Sequence, residues 1–264
     1  MAAAHCPAVR GSQTVGADSR AMKTAHFSFD ANLAALLPRA RRSAQLDHHF
    51  AGPQSVKHLI ESLGIPHTEV GSIFSSAQLV TLNYQVRDGD RIEVRCSTAE
   101  AHTGEEPRFV LDGHLGRLNS GLRMLGMDCL YGTDYQDDDL ALFSVSERRI
   151  LLTRDRRLLM RKLIAQGYLV RSLEPRQQLA ELMRRFHLED WFRPFSRCIR
   201  CNGLLQPVDK QAVVHKLQPL TRLYFEDFRI CPSCRQIYWR GSHVQKMMKV
   251  IADLRQDGPV RIGL

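Results

Sequence analysis

The sequence predicts an α/β protein in which a parallel sheet, covered by helices on both faces, lies between a small α+β domain and a C-terminal metal-binding ribbon. Three observations predict this arrangement. Short apolar runs alternate with helical stretches along the middle of the chain, a helix and a strand-turn-strand pattern precede them, and two Cys-x-x-Cys pairs follow them. The 264 residues are enough for about two domains.

Residues 23–97 are predicted to form the small α+β domain, after a disordered tail over residues 1–22. The tail is rich in Ala, Gly and Ser and lacks apolar periodicity. A short strand is expected over His26–Phe29. A helix then begins with Ser55 as its N-cap and ends at Gly64. Its apolar residues recur on one face: Val56, Leu59, Ile60 and Leu63.

A hairpin is predicted to close this domain. The runs Leu79–Val86 and Arg91–Cys96 flank an Asp88-Gly89 turn, and apolar residues alternate with charged ones in the second run. Alternation of this kind is typical of a strand with one buried face.

Residues 108–190 are predicted to form the parallel sheet domain, joined to the first by a polar linker over residues 98–107. Residues 191–250 are expected to form the ribbon, and residues 251–264 a tail. Helices that alternate with strands favour a parallel sheet, because each crossover between parallel strands needs a long connection. The strands are expected at Phe109–Leu111, Cys129–Tyr131, Ile150–Thr153 and Tyr168–Val170, with helices that begin near Leu115, Asp139, Arg156 and Pro175.

Acidic residues follow three of the predicted strands. Asp112 comes directly after the first strand, Asp155 comes after the third, and the run Asp137-Asp138-Asp139 opens the helix after the second. The carboxyl ends of parallel strands meet at one edge of the sheet, where ligands bind at the point of strand reversal. Oxygen ligands select Mg²⁺ or Mn²⁺, which activate phosphodiester bonds. The alternative is that each Asp caps a helix, and the sequence leaves the choice between Asp137 and Asp138 open.

The net charge of +9 is concentrated in the C-terminal part of the chain. Up to Glu105 there are 10 basic and 10 acidic residues, and after it 27 and 18. This excess favours a polyanionic partner, with nucleic acid ahead of an acidic membrane surface, since no strongly basic amphipathic helix stands out. Five arginines flank the acids and are candidates for phosphate contacts: Arg117, Arg123, Arg154, Arg156 and Arg157.

Two pairs of cysteines have the spacing of a structural zinc site: Cys198, Cys201, Cys231 and Cys234. The alternative, two disulfides, requires an oxidising compartment. Residues 1–22 lack the apolar core of a signal peptide, and no run of about 18 apolar residues occurs. We therefore expect a soluble, cytoplasmic protein with reduced thiols. Cys6 falls in the tail, and Cys96 and Cys129 are expected to be small core residues.

Aromatic and basic residues follow the second cysteine pair. Tyr238, Trp239 and Arg240 are candidates for contacts with unpaired RNA bases, since aromatic faces stack on any base. The alternative for Trp239 is that it packs the ribbon against the sheet domain. His243 is a weak candidate for zinc, because four cysteines already complete the metal's coordination.

Several of these motifs occur together in a known order. The segments FVLDGHLGRL, LRMLGMDCLYGTDYQDDDL, ILLTRDRRLL and YWRGSH, with the cysteine pairs, resemble the Mut-seven C-terminal ribonuclease domain, a PIN-like nuclease with an appended zinc ribbon. The preceding segments SVKHLIESLGIPHTEV and DGDRIEV resemble the ubiquitin-like β-grasp module that is often fused to it. One departure, Asn119-Ser120 in the helix after the first acid, concerns packing more than chemistry.

The resemblance implies a PIN-like fold and endoribonuclease activity through Mg²⁺ or Mn²⁺. It implies catalytic roles for Asp112, for Asp137 or Asp138, and for Asp155, with Thr153 supporting the last carboxylate. The β-grasp domain continues past its last strand without the Gly-Gly tail of sulfur carriers, so it is interpreted as a positioning module or a docking site for a protein partner. Two alternatives remain, a noncatalytic RNA-binding or assembly factor and a DNA nuclease, because the preference for RNA rests on the resemblance alone.

Overall fold

The structure is a computed structural model that describes residues 21–43, 45–97, 105–241 and 249. The predictions for the N-terminal tail, Cys6, His243 and the tail over residues 251–264 fall outside the described residues, apart from Ala21 and Met22.

The first domain is a five-stranded mixed sheet with one main helix. Strands β1 and β5 at its centre are parallel, and the other pairs are antiparallel, in the order β2-β1-β5-β3-β4. The strands are β1 (Met22–Phe29), β2 (Gln45–Ala51), β3 (Val70–Ser75), β4 (Gln78–Val80) and β5 (Arg91–Cys96), and the helices are α1 (Ala31–Ala34) and α2 (Val56–Ser62).

The ends predicted for α2 are confirmed. The Ser55 side chain accepts a hydrogen bond from the His58 N–H, which otherwise lacks a helical partner. Gly64 follows the helix with φ of +92°, a left-handed conformation that glycine adopts at little cost.

The predicted hairpin between Leu79–Val86 and Arg91–Cys96 is wrong. Strand β5 pairs instead with β1 and β3, and most of the first run lies outside any strand. The Asp88-Gly89 turn does form, but the Gly89 N–H bonds the carbonyl of Thr24, which brings β5 alongside the first strand of the domain. Alternation identifies a strand but does not identify its partner, which non-local pairing decides.

The second domain contains the predicted parallel sheet, with all four strands and four helices within two residues of their expected positions. The strand order is β7-β6-β8-β9, so the chain crosses from one side of β6 to the other between β7 and β8. The strands are β6 (Arg108–Leu111), β7 (Asp128–Tyr131), β8 (Ile150–Thr153) and β9 (Gly167–Leu169), and the helices are α3 (Gly116–Met124), α4 (Asp137–Ser146), α5 (Arg156–Leu159) and α6 (Pro175–Phe186).

Both faces of this sheet are buried, as the uninterrupted apolar strands predict. Phe109 and Leu111 of β6 pack in a cluster with residues of α3 and α6. Val110, on the opposite face, belongs to a cluster that includes residues of α4 and α5. That second cluster is continuous with the core of the first domain, including Ile60 and Ile65, so the two domains share one hydrophobic core.

The third unit is a small antiparallel sheet in the order β10-β11-β12. Its apolar cluster is small and contains four buried residues, namely Val213, Leu217, Phe228 and Ile237. A core of this size cannot hold a fold without a further cross-link. The elements are β10 (Gln206–Val208), α7 (Lys210–Val213), α8 (Pro219–Tyr224), β11 (Phe228–Ile230) and β12 (Ile237–Trp239).

Candidate active site and metal centre

Asp112 and Asp155 are joined through one buried threonine at the carboxyl edge of the parallel sheet. The Thr153 hydroxyl donates a hydrogen bond of 2.7 Å to Oδ2 of Asp112 and accepts one of 2.9 Å from the N–H of Asp155. Thr153 has no exposed surface. The expectation that Thr153 supports the carboxylate of Asp155 is therefore wrong in detail, because its side chain holds the carboxylate of Asp112 and the backbone of Asp155.

Asp155 also caps the short helix α5. Its Oδ1 accepts a hydrogen bond of 2.7 Å from the N–H of Arg157. The capping alternative thus holds for this residue, but it occupies one carboxylate oxygen. Among the described residues, Oδ2 of Asp155 has no hydrogen-bond partner, and the side chain is exposed.

The three acids that open α4 have different surroundings, although all three are exposed. Asp139 accepts from the N–H of Gln136 at 3.0 Å and completes a capping box. Asp138 forms an ion pair with Arg161. In the part of the chain that the structure describes, the Asp137 side chain has no hydrogen-bond or ion-pair partner.

The strand order places these acids on three neighbouring strands. Asp112 follows the central β6, Asp155 follows β8 on one side, and α4 follows β7 on the other. This edge is where the strand order reverses and where open α/β sheets bind ligands. The acids that follow the three strands do not form a close group of potential metal ligands. Among the described residues, the close group of this kind consists of the four cysteines.

Tyr131 is a residue of this edge to which the sequence assigned no role. Its hydroxyl donates a hydrogen bond of 2.9 Å to the carbonyl of Gly113, the residue after Asp112. Gly116 makes room for it, because a Cβ at that position would lie 2.7 Å from the Tyr131 hydroxyl oxygen. The sequence features that could have identified this contact are a tyrosine at the end of the second predicted strand and the Gly-x-x-Gly that follows Asp112.

Two of the five arginines proposed for phosphate contacts have structural roles instead. Arg123 is 3% exposed and donates to the carbonyls of Cys129, Ile199 and Arg200. Its assignment as an RNA contact is wrong, because a buried guanidinium with three carbonyl partners cannot reach a phosphate.

Arg156 donates to the carbonyls of Leu36 and Gly64 in the first domain, at 2.6 and 3.2 Å. Its guanidinium therefore links the two domains and is not free to contact RNA phosphates. The remaining arginines, Arg117, Arg154 and Arg157, have exposed side chains.

The four cysteines meet in one cluster, with Sγ atoms all within 4.8 Å of one another. The Sγ atoms of Cys198 and Cys234 lie 3.5 Å apart, and those of Cys201 and Cys231 lie 3.4 Å apart. These separations are too long for disulfides, whose sulfurs are about 2.05 Å apart, and all four thiols are free. The cluster fits a tetrahedral zinc ion with four sulfur ligands.

Both cysteine pairs adopt the same turn. Asn202 and Arg235, each directly after the second cysteine of its pair, have φ of 68° and 60°. Their N–H groups bond the carbonyls of Cys198 and Cys231 at 2.9 and 2.8 Å. The left-handed residue closes each turn, so that both sulfurs of a pair face the centre of the four-cysteine cluster.

Hydrogen bonds within the second turn favour its thiolate form. Burial would raise the pKa of Cys231, but hydrogen bonds from the backbone N–H groups of Cys234 and Ser233 and from the Cys201 thiol bring that pKa to about 7. A metal binds the thiolate, and this shift favours the thiolate at Cys231 alone, since the pKa of Cys201 is raised to about 12 and that of Cys234 is also raised, first by burial in each case.

Polar contacts join this cluster to the parallel sheet. Asp128, the first residue of β7, accepts from Arg149 at 2.6 Å, from Arg197 at 3.1 Å and from the Asn202 side chain at 2.9 Å. Burial would raise the pKa of Asp128, but the hydrogen bonds from Arg149 and Asn202 outweigh it and lower that pKa. The Asn202 side chain also accepts from the N–H of Cys129.

The aromatic residues after the second pair pack within the ribbon. The Tyr238 hydroxyl lies 3.1 Å from Sγ of Cys198. The ring of Trp239 lies 6.4 Å from that of Phe225 and 6.5 Å from that of Phe228. Trp239 therefore does not pack the ribbon against the sheet domain, as one interpretation had it. Its side chain is half-buried, whereas that of Arg240 is exposed.

Comparison with known proteins agrees with these units. Residues 22–102 match the Mut7-C ubiquitin domain, and residues 107–251 match the Mut7-C RNAse domain. A search of curated proteins finds no match. Among the helices that the structure describes, none is long and apolar enough to cross a bilayer. The second match covers more than half of the chain and includes the acidic edge and the four cysteines, so this protein belongs to the Mut7-C RNAse domain family and carries the Mut7-C ubiquitin domain in front of it.

Proposed function

We propose that the chain is a metal-dependent endoribonuclease that hydrolyses RNA phosphodiester bonds at the acidic edge of its parallel sheet. The observation that carries the proposal is the pairing of Asp112 and Asp155 through the buried Thr153. Thr153 orients the carboxylate of Asp112 and holds the backbone of Asp155 before any ligand arrives, and a preorganised site is what a catalytic cation needs.

The donor set fits Mg²⁺ or Mn²⁺, because it consists of carboxylate oxygens. Asp112 is oriented by Thr153, Asp155 retains an oxygen beyond its capping bond, and Asp137 is the acid of the α4 run without a competing partner among the described residues. A divalent cation bound there would polarise the phosphodiester and lower the pKa of a water ligand.

The residues of the chain have separate tasks in this proposal. Thr153 holds the first acid in place, and Tyr131 fixes the loop directly after it. The exposed Arg117 and Arg154 stand next in sequence to the site and bind the RNA backbone. The four cysteines bind a structural zinc ion, which stabilises a ribbon that contributes RNA contacts.

The test is cleavage of labelled single-stranded RNA with added Mn²⁺. Asp112→Asn keeps the shape of the side chain and an oxygen that accepts from Thr153, but removes the charge that binds the cation. We expect cleavage to fall by about a hundredfold or more, since such a cation supplies several kcal/mol of transition-state stabilisation. Asp134→Asn, at an exposed acid of the loop before α4, is the matched control. Normal cleavage by Asp112→Asn would overturn the proposal.

The same assay distinguishes the acids of α4. Asp137→Asn should reduce cleavage and raise the Mn²⁺ concentration for half-maximal rate, whereas Asp138→Asn, which only breaks the Arg161 ion pair, should leave both near wild type. The reverse result would assign the ligand to Asp138.

Two observations favour a second function. Asp139 and Asp155 both cap helices, and the acids of the three strands do not form a tight group. These features suit a noncatalytic RNA-binding or assembly factor. Binding of RNA without added divalent cations, with no cleavage of structured or unstructured RNA at any Mn²⁺ concentration, would favour this second function.

A further inference from the structure

A cavity of about 470 Å³ opens on the ribbon, at residues that lie apart in sequence from the acidic edge. Its lining combines the Trp239 side chain with two cations, Lys216 and Arg235, and two amides, Gln218 and Gln236. Two core residues, Leu217 and Ile237, complete it. No carboxylate is among the residues that line it.

The two cations of this cavity are available to a ligand. Lys216 and Arg235 are exposed, and neither has an acidic partner among the described residues. Lys210, elsewhere on the ribbon, pairs with Glu226 at 2.5 Å and is thereby neutralised. Unpaired positive charges in a cavity without acids attract an anion.

The ribbon fixes the backbone of Arg235 and the ring of Trp239 in position. Arg235 has φ of 60° and closes the turn of the second cysteine pair through its N–H bond to Cys231. The Trp239 indole packs against the Phe225 and Phe228 rings. The backbone of Gly241 also lies close to it, since a Cβ added at that position would be 3.0 Å from Nε1 of Trp239. A side chain held in this way loses little conformational freedom when a ligand binds.

We propose that this cavity binds one unpaired nucleotide of an RNA strand. The base stacks against Trp239, the adjacent phosphates contact Lys216 and Arg235, and the amides of Gln218 and Gln236 offer donors and acceptors to the base edge. The choice of RNA rests on the proposed function, and the cavity supplies a contact away from the cleavage site, so that the ribbon holds the strand while the acidic edge acts on it.

The experiment uses the full chain with its zinc and the two tryptophans of the sequence. Trp191→Phe leaves Trp239 as the sole tryptophan, so its fluorescence reports on the cavity. Without added Mg²⁺ or Mn²⁺, a single-stranded RNA oligonucleotide and uridine monophosphate should both quench this fluorescence, whereas inorganic phosphate at the same concentration should not. Equal quenching by phosphate would show an anion site without base stacking and would overturn the proposal.

Charge variants test the phosphate contacts. In the same background, Lys216→Ala with Arg235→Ala should weaken oligonucleotide binding about tenfold and reduce the slope of log affinity against log salt by about 1.4, since each phosphate contact on a single strand contributes about 0.7. The matched control is Lys210→Ala with Arg200→Ala, which removes the same charge from exposed or paired positions outside the cavity. Equal losses in both pairs, or none in the first, would refute the cavity as the site.

The two proposals fail separately. If Asp112→Asn abolishes cleavage but the cavity variants bind RNA normally, the nuclease assignment stands and the cavity assignment falls. If no variant cleaves RNA but Trp239 is quenched as expected, the cavity binds RNA in a noncatalytic protein. Zinc content and the thermal unfolding of each variant, measured alongside, show that a change in binding does not come from a lost fold.

Discussion

The parallel sheet meets its two neighbours through junctions of different kinds. The ubiquitin-like domain and one face of the sheet share a single apolar cluster. The ribbon, in contrast, is joined to the sheet domain by hydrogen bonds that Arg123 donates to carbonyls of the first cysteine turn, and by one that the Asn202 side chain of that turn donates to Asp128. One junction is therefore part of the hydrophobic core, whereas the other depends on a turn that a metal is expected to hold.

Polar contacts also cross the junction between the ubiquitin-like domain and the sheet. Glu69 accepts from the N–H of Leu169 at 2.7 Å and from Arg171 at 2.9 Å. His67 places its two ring nitrogens 2.7 Å from a carboxylate oxygen of Glu61 and 2.8 Å from the carbonyl of Ile164. These bonds orient a junction whose stability comes mainly from apolar burial.

The difference indicates that the ubiquitin-like domain is a fixed part of the same body as the parallel sheet. It covers apolar residues of the sheet that would otherwise face water, and it contacts α5 directly after Asp155 through Arg156. The ribbon is a separate unit in energetic terms, because few buried residues support it. The following predictions test this contrast, beginning with the largest expected effect.

Removal of zinc should unfold the ribbon and leave the other two units folded. Binding of zinc to four thiolates is worth on the order of 10 kcal/mol, whereas the ribbon's own apolar cluster contains four buried side chains. Hydrogen exchange should show loss of protection over residues 206–239 in Cys231→Ser, with protection retained over residues 22–97 and 108–186. Cys96→Ser, at a cysteine outside the cluster, is the control. Unfolding of the whole chain in one step would contradict the contrast between the junctions.

Arg123→Met should destabilise the junction with the ribbon by about 3 kcal/mol. The change leaves three carbonyl groups without their donor, and each unsatisfied buried acceptor costs about 1–3 kcal/mol before water or relaxation compensates. Urea unfolding measures the effect, and Arg117→Met on the exposed face of the same helix should be nearly neutral. A variant of Arg123 with unchanged stability but weaker RNA binding would restore its role as an RNA contact.

Arg123 also shows what the sequence could predict and what it could not. The alternation of apolar runs and helices predicts the parallel sheet closely, because buried parallel strands leave a local signature. The same is true of the cysteine pairs, whose chemistry allows few alternatives. Whether an arginine in α3 faces solvent or the carbonyls of a turn about 76 residues away depends on tertiary contacts, and no local pattern records it.

The first domain and the acids show the same limit. The turn at Gly89 is local and was predicted, but the partner of β5 is β1, far away in sequence, so the hairpin was wrong. The three strand-end acids were found because strand ends share an edge. The bond between Thr153 and Asp112 was missed because it crosses between neighbouring strands, which sequence spacing does not reveal.

Arg156→Met should weaken the first junction by about 2 kcal/mol, through the loss of two hydrogen bonds from a charged donor to Leu36 and Gly64. The neighbouring Arg157→Met, at an exposed side chain on the same helix, is the matched control. Because α5 begins at Arg156, directly after Asp155, the variant should also raise the Mn²⁺ concentration needed for cleavage. If both variants behave alike in urea unfolding, Arg156 does not join the domains in solution.

The smallest effect expected is a pH dependence that distinguishes the two junctions by its sign. Burial raises the pKa of Glu69, although Arg171 and the N–H of Leu169 act in the opposite direction. A carboxyl with a raised pKa in the folded state contributes stability that is fully present below its ordinary pKa of 4.5 and is lost as the pH rises through the raised value. Asp128 behaves in the opposite way, because its lowered pKa gives stability that is present above 3.8 and lost only as the pH falls through that lowered value.

Over pH 5–8, the free energy of unfolding of wild type should therefore decline relative to that of Glu69→Gln, whose amide keeps an acceptor for Leu169 and carries no proton to lose. The difference between wild type and Asp128→Asn should stay constant over the same range, since the pKa of Asp128 lies below it. Other ionisable groups of the first junction, His67 among them, are common to wild type and Glu69→Gln, so the difference isolates Glu69. Parallel curves for all three proteins would show that the Glu69 carboxyl is ionised throughout this range, paired with Arg171 strongly enough to overcome its burial, and that the two junctions differ in apolar content but not in electrostatics.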